Sequence, residues 1–299
     1  MEQVKPIFKD DKYQHDFEKN GFITLPLLNN IQVDELNRFF VGTKKQHETV
    51  ANLHHTTTDT ENIELINLVD KKIKSVFLPE LDKVLCNFKA LAGCFHIKET
   101  GSGSATGIHQ DPTFVDELKY TSANVWVALQ DIDKNNGNLY FIPGSNQVVS
   151  SLRVVPTFPP YYQSFNESLP QMAIHAPLKK GEAVIFNNSV IHGATENLSN
   201  HIRLAATLLI CSEEAEWLLY YKEENAPSEM VEKYYLNLDT FISMHKGGRP
   251  SMQMFQEYLT YDFPQITKKE FIERTNKNQG KELSYFQKIK KFITMSIIE

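Results

Sequence analysis

The feature that most constrains this chain is a run of short period-two segments between Phe88 and Ile210, each closed by turn residues. Phe88 to Ile97, Thr121 to Leu129, Asn138 to Ile142, Ala173 to Ala176, Ala183 to Asn187 and Ile202 to Ile210 all read as strands. Asn135-Asn136-Gly137 has the signature of a hairpin turn into Asn138, and Pro143-Gly144-Ser145 ends that strand. Gly181-Glu182 reads as a tight turn into the next one. Several short strands with turn signals between them predict a sandwich, a barrel or a jelly roll.

The flanks have a different period. Asp11 to Asn20 is a short amphipathic helix with Gly21 as its C-terminal cap, and Phe22 to Leu28 alternates as a short strand. Val33, Leu36, Phe39 and Phe40 recur at helical spacing, as do Ile63, Ile66, Val69, Ile73 and Phe77 within Glu61 to Cys86. Pro79 is expected to kink or divide that second helix. Beyond Ser212 the chain is expected to turn helical again. Ser212 would cap a helix carrying Glu213, Glu214 and Glu216 in its first turn, and Ser228 would cap another closed by Gly247-Gly248. The 299 residues therefore read as one domain, with an N-terminal helical region (1–86), a β-rich core (87–211) and a C-terminal helical region (212–299).

One stretch interrupts the core. Residues 148–172 carry Pro156, Pro159, Pro160 and Pro170 with Phe158, Tyr161, Tyr162 and Phe165. A long irregular insertion between strands is either a lid over a site or a surface loop packing its own aromatics.

The bulk properties exclude some classes. A net charge of -6 gives no general attraction for nucleic acid. Three cysteines, Cys86, Cys94 and Cys211, without CxxC spacing argue against a disulfide framework or a thiolate zinc site. The polar N-terminus lacks the apolar core of a signal peptide, and no apolar run reaches the roughly 20 residues that span a bilayer. A cytoplasmic protein is expected. The basic tail from Lys268 to Lys291, with Phe286, Ile289, Phe292 and Ile293 on one helical face, reads as a helix packing on its own domain rather than on a membrane.

The chemistry-bearing residues lie inside the core. His109-Gln110-Asp111 follows the small-residue stretch from Gly101 to Gly107, and His192 follows a strand. Alternate residues of an extended segment face one side, so His109 and Asp111 can present an imidazole and a carboxylate to one point. His192 can complete one face of an octahedron. Two imidazoles and a carboxylate suit Fe(II) and leave three positions open. HxD alone is weak evidence in a chain with 10 histidines; His15, His47, His54, His55, His175, His201 and His245 read as structural or surface residues. Arg203 strengthens the case, because an arginine entering the apolar strand Ile202 to Ile210 needs a partner. That partner is either a protein acid or, with the triad nearby, the distal carboxylate of 2-oxoglutarate.

The ordered segments FEKNGFITLPLL, IHQDPTFVDE, ANVWVALQDIDKNNGNLYFIPGSNQ and LKKGEAVIFNNSVIHGATENLSNHIRLA resemble the phytanoyl-CoA dioxygenase family, over roughly Phe17 to Ile210. The resemblance implies a mainly β chain with flanking helices (α+β), built on a double-stranded β-helix, the cupin-like jelly roll. It implies Fe(II), 2-oxoglutarate and O2 as cofactor and co-substrates, with His109, Asp111 and His192 as iron ligands and Arg203 on 2-oxoglutarate. Trp126 matches a tryptophan that lines the co-substrate site in some relatives. Asn124 should face the same side, and His96 and Lys98 share a face of the preceding strand; all three are candidate co-substrate contacts. Asn146 and Ala194 depart from the pattern, since relatives commonly carry histidine at the first and a serine or threonine that assists the arginine at the second. Thr195 is a candidate substitute. Halogenating relatives lack the carboxylate, so Asp111 implies hydroxylation or a related oxidation such as desaturation. The expected activity is hydroxylation of an unactivated C–H of a small metabolite, with release of succinate and CO2. The alternatives are an acyl-CoA substrate, for which Arg153, Lys179 and Lys180 make a sparse basic rim, and a non-redox metal-dependent jelly-roll protein.

Overall fold

A computed structural model describes residues 4–43, 52–156, 160–223, 227, 229–245 and 248–279. The first helix and strand lie where the sequence places them. Helix α1 (Asp11–Asn20) starts at Asp10, whose side chain accepts from Lys12 and Tyr13, and ends at Gly21 with φ 83°. Strand β1 (Phe22–Pro26) follows, then α2 (Asn30–Thr43), β2 (His54–Thr56) and α3 (Ile63–Val84). Pro79 lies inside α3 without dividing it. Val76, Phe77 and Leu81, on both sides of the proline, are buried in one cluster, and that packing carries the helix through the lost hydrogen bond.

The core strands are β3 (Phe88–Lys98), β4 (Thr106–His109), β5 (Ser122–Ala128), β6 (Leu139–Phe141), β7 (Ile174–Ala176), β8 (Glu182–Asn187), β9 (His192–Ala194) and β10 (Arg203–Ser212). They form two antiparallel sheets. The larger has the order β1-β8-β5-β10-β3-β2, and the smaller β4-β9-β6-β7. From β3 to β10 the chain passes back and forth between the two sheets, with only β6 and β7 consecutive in the same one, the pattern of a jelly roll. Asn135-Asn136-Gly137 is therefore not a hairpin turn. It carries the chain from β5 in one sheet to β6 in the other, and the Asp133 carbonyl and carboxylate accept from the amides of Asn135, Asn136 and Asn138 instead of a cross-strand partner. Gly181 makes the turn into β8 with φ 87°, where a Cβ would meet the Leu28 carbonyl oxygen at 2.2 Å.

Period-two alternation sorts the large sheet into two faces. Phe95, Ile97, Val125, Val127, Ile185 and Leu208 pack outward against Leu36, Phe40, Val69, Ile73 and Phe77 of the helices. Trp126, Val184, Phe186 and Ala205 face inward with Phe141 and Ala194 of the small sheet. The outer layer gives a rigid backing, and the inner one leaves room at one end for polar groups.

The region beyond Ser212 departs from expectation. Instead of two capped helices it forms a three-stranded antiparallel sheet of β11 (Leu218–Tyr221), β12 (Met230–Tyr235) and β13 (Phe255–Thr260), with α4 (Leu238–His245) and α5 (Lys268–Gln279). Ser212 ends β10, where its Oγ accepts from the Thr121 amide at 3.0 Å and so closes the sheet rather than a helix. The aromatic and β-branched residues of LLYY, MVEKYY and FQEYLT favour strands, and the glutamates after Ser212 occupy the connection from β10 to β11. Ser228, Gly247 and the tail beyond Gln279, with Phe286, Ile289, Phe292 and Ile293, lie outside the described residues.

The insertion packs its own aromatics. Tyr161, Tyr162, Phe165 and Leu169 are buried together with Phe271 of α5 and with Ile142 and Ile191 of the core, and Ile108 leans on them. Phe158 and Pro159 lie outside the described residues.

Candidate metal centre

His109 ends β4 and His192 begins β9, and the two residues are direct partners in the antiparallel register. Their rings lie side by side with centroids 4.3 Å apart. The Asp111 amide donates to the Asn188 carbonyl at 3.0 Å, which ties the loop after β4 to the turn before β9. Side-chain donor atoms of His109, Asp111 and His192 consequently all fall within 4.8 Å of one another.

The hydrogen bonds fix which atoms face the centre. His109 Nδ1 lies 2.8 Å from the Gly107 carbonyl and His192 Nδ1 3.0 Å from the Val190 carbonyl. A carbonyl only accepts, so each Nδ1 carries the proton and each Nε2 lone pair points inward. Those Nε2 atoms lie 3.8 and 3.9 Å from Asp111 Oδ1. Asp111 Oδ2 is taken, accepting from Asn124 Nδ2 at 2.7 Å and Asn188 Nδ2 at 3.2 Å. Burial, and secondarily His109, pulls His192 down to about 4, so its imidazole is neutral at pH 7 and able to bind a metal. Phe141 and Phe186 flank the His192 ring.

These three residues line a cavity that Arg203, Trp126, Asn124, His96, His54, Thr106 and Thr207 also line. Arg203 is 1% exposed, and its Nε and Nη1 have no hydrogen-bond partner among the described residues. Neither nitrogen is therefore paired with a protein acid among the described residues. The guanidinium lies 5.1 Å from the centre of the Trp126 ring, which walls the cavity. Burial without a partner presses Arg203 below the ordinary arginine pKa.

Three of the sequence candidates make other contacts. Asn124 faces the same side as Trp126, but its amide goes to Asp111, while Thr207 Oγ1 donates to its carbonyl at 3.4 Å. Lys98 pairs with Arg203 in the register yet turns its ammonium to the Thr195 carbonyl at 2.7 Å, beside rather than inside the cavity. Burial, then Arg203, brings Lys98 down to about 7. Thr195 does not substitute for a residue assisting the arginine, because its hydroxyl goes to the Lys134 carbonyl and Asn138 Oδ1. His54, read from sequence as structural or surface, lines the cavity instead. It partners Lys98 across the sheet, its Nδ1 is 3.0 Å from Thr106 Oγ1, and burial drives it to about 3.

Comparison with known proteins agrees with this geometry. A model of the family described as "Phytanoyl-CoA dioxygenase (PhyH)" matches residues 17–205. The chain belongs to the phytanoyl-CoA dioxygenase family. Among its members, phytanoyl-CoA dioxygenase domain-containing protein 1 of Danio rerio is 34% identical over 145 residues, 44% of this chain and 48% of that protein. Phytanoyl-CoA dioxygenase 1 of Oryza sativa subsp. japonica is 32% identical over 123 residues, 40% of this chain and 44% of the other. The chain thus spans about half the length of the curated relatives it matches, or less. Among solved structures, the non-heme alpha ketoglutarate dependent carbocyclase SnoK from nogalamycin biosynthesis has a TM-score of 0.54 at 15% identity, covering 85% of this chain and 96% of its own. The epimerase SnoN, in complex with Fe3+, alpha ketoglutarate and nogalamycin RO, has a TM-score of 0.53 at 17% identity, covering 69% and 85%. These likenesses show the shared fold, the cupin-like jelly roll expected of the family.

Proposed function

We propose that the chain is a single-domain Fe(II)/2-oxoglutarate-dependent dioxygenase that hydroxylates an unactivated C–H of a small metabolite and releases succinate and CO2. The observation that carries this reading is Arg203. A buried guanidinium with unpartnered donors, on the wall of the same cavity as a two-histidine-one-carboxylate cluster, is matched by a dicarboxylate that reaches both. His109, Asp111 and His192 would hold iron, whose donor set of two neutral imidazoles and one carboxylate fits Fe(II). Iron and 2-oxoglutarate, when bound, supply activation of dioxygen and the oxidising equivalents.

The protein's own share is orientation and exclusion of water. Arg203 binds the far carboxylate, and Trp126 and Phe186 form dry walls. Asn124 and Asn188 hold the Asp111 carboxylate with Oδ1 turned inward. The presence of that carboxylate favours hydroxylation over halogenation. A small metabolite is favoured over an acyl-CoA because the basic residues offered as a rim are occupied. Arg153 is buried, Lys179 pairs with Asp131 at 2.9 Å, and Lys180 pairs with Asp34 at 2.6 Å. No helix among the described residues is long and apolar enough to cross a membrane.

The test is anaerobic addition of Fe(II) and 2-oxoglutarate to the purified protein. A metal-to-ligand charge-transfer band that disappears in Asp111→Ala/His192→Ala is expected, with oxygen-dependent succinate release afterwards. Absence of the band in the unmodified protein overturns the assignment. Metal binding without succinate points to the non-redox alternative. Mass spectrometry of a metabolite pool, searched for a gain of one oxygen, identifies the substrate.

A further inference from the structure

We infer that Arg153, through a buried ion pair with Glu117, is a positioning residue of the metal centre: it holds the main chain of Asp111 in place. The inference rests on the metal reading above but concerns residues that reading does not use.

Arg153 is fully buried, at 0% exposure, in a segment where the chain runs beside the loop that carries Asp111. Its Nε donates to the Asp111 carbonyl oxygen. Nη1 donates to Glu117 Oε2 at 2.9 Å and to the Ser151 carbonyl at 3.0 Å, and Nη2 donates to Glu117 Oε1. The guanidinium is thus a fork with one tine on the ligand-bearing backbone and the other two on a carboxylate. The main chains are stitched as well, since the Thr113 amide donates to the Arg153 carbonyl and the Arg153 amide to Thr113 Oγ1, both at 3.0 Å. Val155 then exchanges backbone hydrogen bonds with Tyr220 and Lys222, anchoring this segment to the C-terminal sheet.

The arrangement matters because Asp111 itself lies outside the strands. β4 ends at His109, and β5 begins only at Ser122, so Asp111 sits on irregular backbone. Its carboxylate is oriented by Asn124 and Asn188, and its amide by the Asn188 carbonyl. Arg153 supplies the remaining restraint, on the carbonyl. A point charge cannot reproduce it, because only the planar fork reaches Glu117 and the backbone oxygen together. Loss of such an outer contact lowers metal affinity by about 10–100-fold in metal sites generally.

The experiment uses Co(II) as probe, added to the full metal-free chain, with the affinity and visible spectrum measured beside the urea midpoint of the metal-free protein. Arg153→Lys is expected to bind Co(II) at least about tenfold more weakly, with an altered spectrum. The double variant Arg153→Met/Glu117→Leu removes the buried charges together, which restores folding stability but not the contact to Asp111. It is expected to recover the urea midpoint and keep the weakened Co(II) binding. Glu117→Gln preserves the shape of the pair and is the variant to read where the others do not fold; it is expected to show the same direction at smaller size. Unchanged Co(II) affinity and spectrum in the folded variants, with only the urea midpoint moved, would show a purely structural pair and overturn the inference. Failure of the unmodified chain to bind Co(II) overturns the metal reading itself, a separate result.

Discussion

Asn124 donates its side-chain amide to Asp111 Oδ2 at 2.7 Å, so one strand supplies both a wall of the cavity, Trp126, and the clamp on the carboxylate. Asn188 adds a second donor at 3.2 Å to the same oxygen. The carboxylate is therefore presented through Oδ1 alone. Asn124→Ala is expected to weaken Fe(II) or Co(II) binding by about 10–100-fold, and Asn124→Asp by more, since it sets a like charge against Asp111. Metal titration of the two variants checks the order; equal affinities would count against the clamp.

Arg203 separates ligand binding from folding. In the ligand-free protein it is a buried charge without a full set of partners. Arg203→Met keeps most of the volume and removes that charge. The metal-free melting point is expected to hold or rise, by up to about 1–4 kcal/mol of stability, while the shift on adding 2-oxoglutarate disappears. A melting point that falls sharply without ligand would mean that the guanidinium has a structural partner after all.

The pH dependence has a definite sign. Burial holds His54 at about 3 and His192 at about 4, both below the ordinary 6.5. Above pH 6.5 neither the folded nor the unfolded chain carries these protons, and stability is at its full value. Below it the unfolded chain takes up protons that the folded chain refuses. The metal-free protein should lose stability steadily from about pH 6.5 towards pH 4. Urea midpoints across that range measure it; a level profile would contradict the burial of both imidazoles.

Gly193 lies where three strands crowd together. A Cβ there would sit 2.4 Å from the Tyr140 hydroxyl and 2.8 Å from the Thr106 carbonyl oxygen. The tyrosine can swing away, but the backbone oxygen cannot. Gly193→Ala should push β9 from β4, cost about 1–3 kcal/mol and misplace His192, so metal binding falls together with stability. Unfolding and Co(II) titration of the same preparation check both.

Phe271 joins α5 to the aromatic insertion. Phe271→Ala should cost about 3–5 kcal/mol. Ile191 lies in the same buried cluster and Ile108 packs on it, each one residue from a histidine of the triad, so metal affinity should fall too. Unchanged metal affinity would confine the insertion to a structural role.

The triad and Arg203 were legible because each sits in a short ordered motif beside a strand whose alternation fixes its direction. The parallel facing of Asn124 and Trp126 followed from the same alternation; what Asn124 touches did not. Its partner is set by a loop outside the strand, and the contacts of Asn188, His54 and Arg153 with the site likewise arise from chain segments that meet only in the folded state. The turn at Asn135-Asn136-Gly137 misled because hairpins and sheet-to-sheet crossings use the same residues. The sheet beyond Ser212 was missed because a serine followed by glutamates is a helix start by local chemistry, and tertiary pairing with Thr121 overrode it.

The four-stranded sheet carries His109 and His192, and the six-stranded sheet carries Arg203 and Trp126. A molecule gripped at one end by a metal and at the other by Arg203 is a tie-rod between them. Folding and metabolite supply are then one linked equilibrium, in which each tenfold rise in ligand above its dissociation constant adds about 1.4 kcal/mol. On the proposed reading, resistance to a protease becomes a gauge of how much co-substrate surrounds the protein, with no turnover needed to read it.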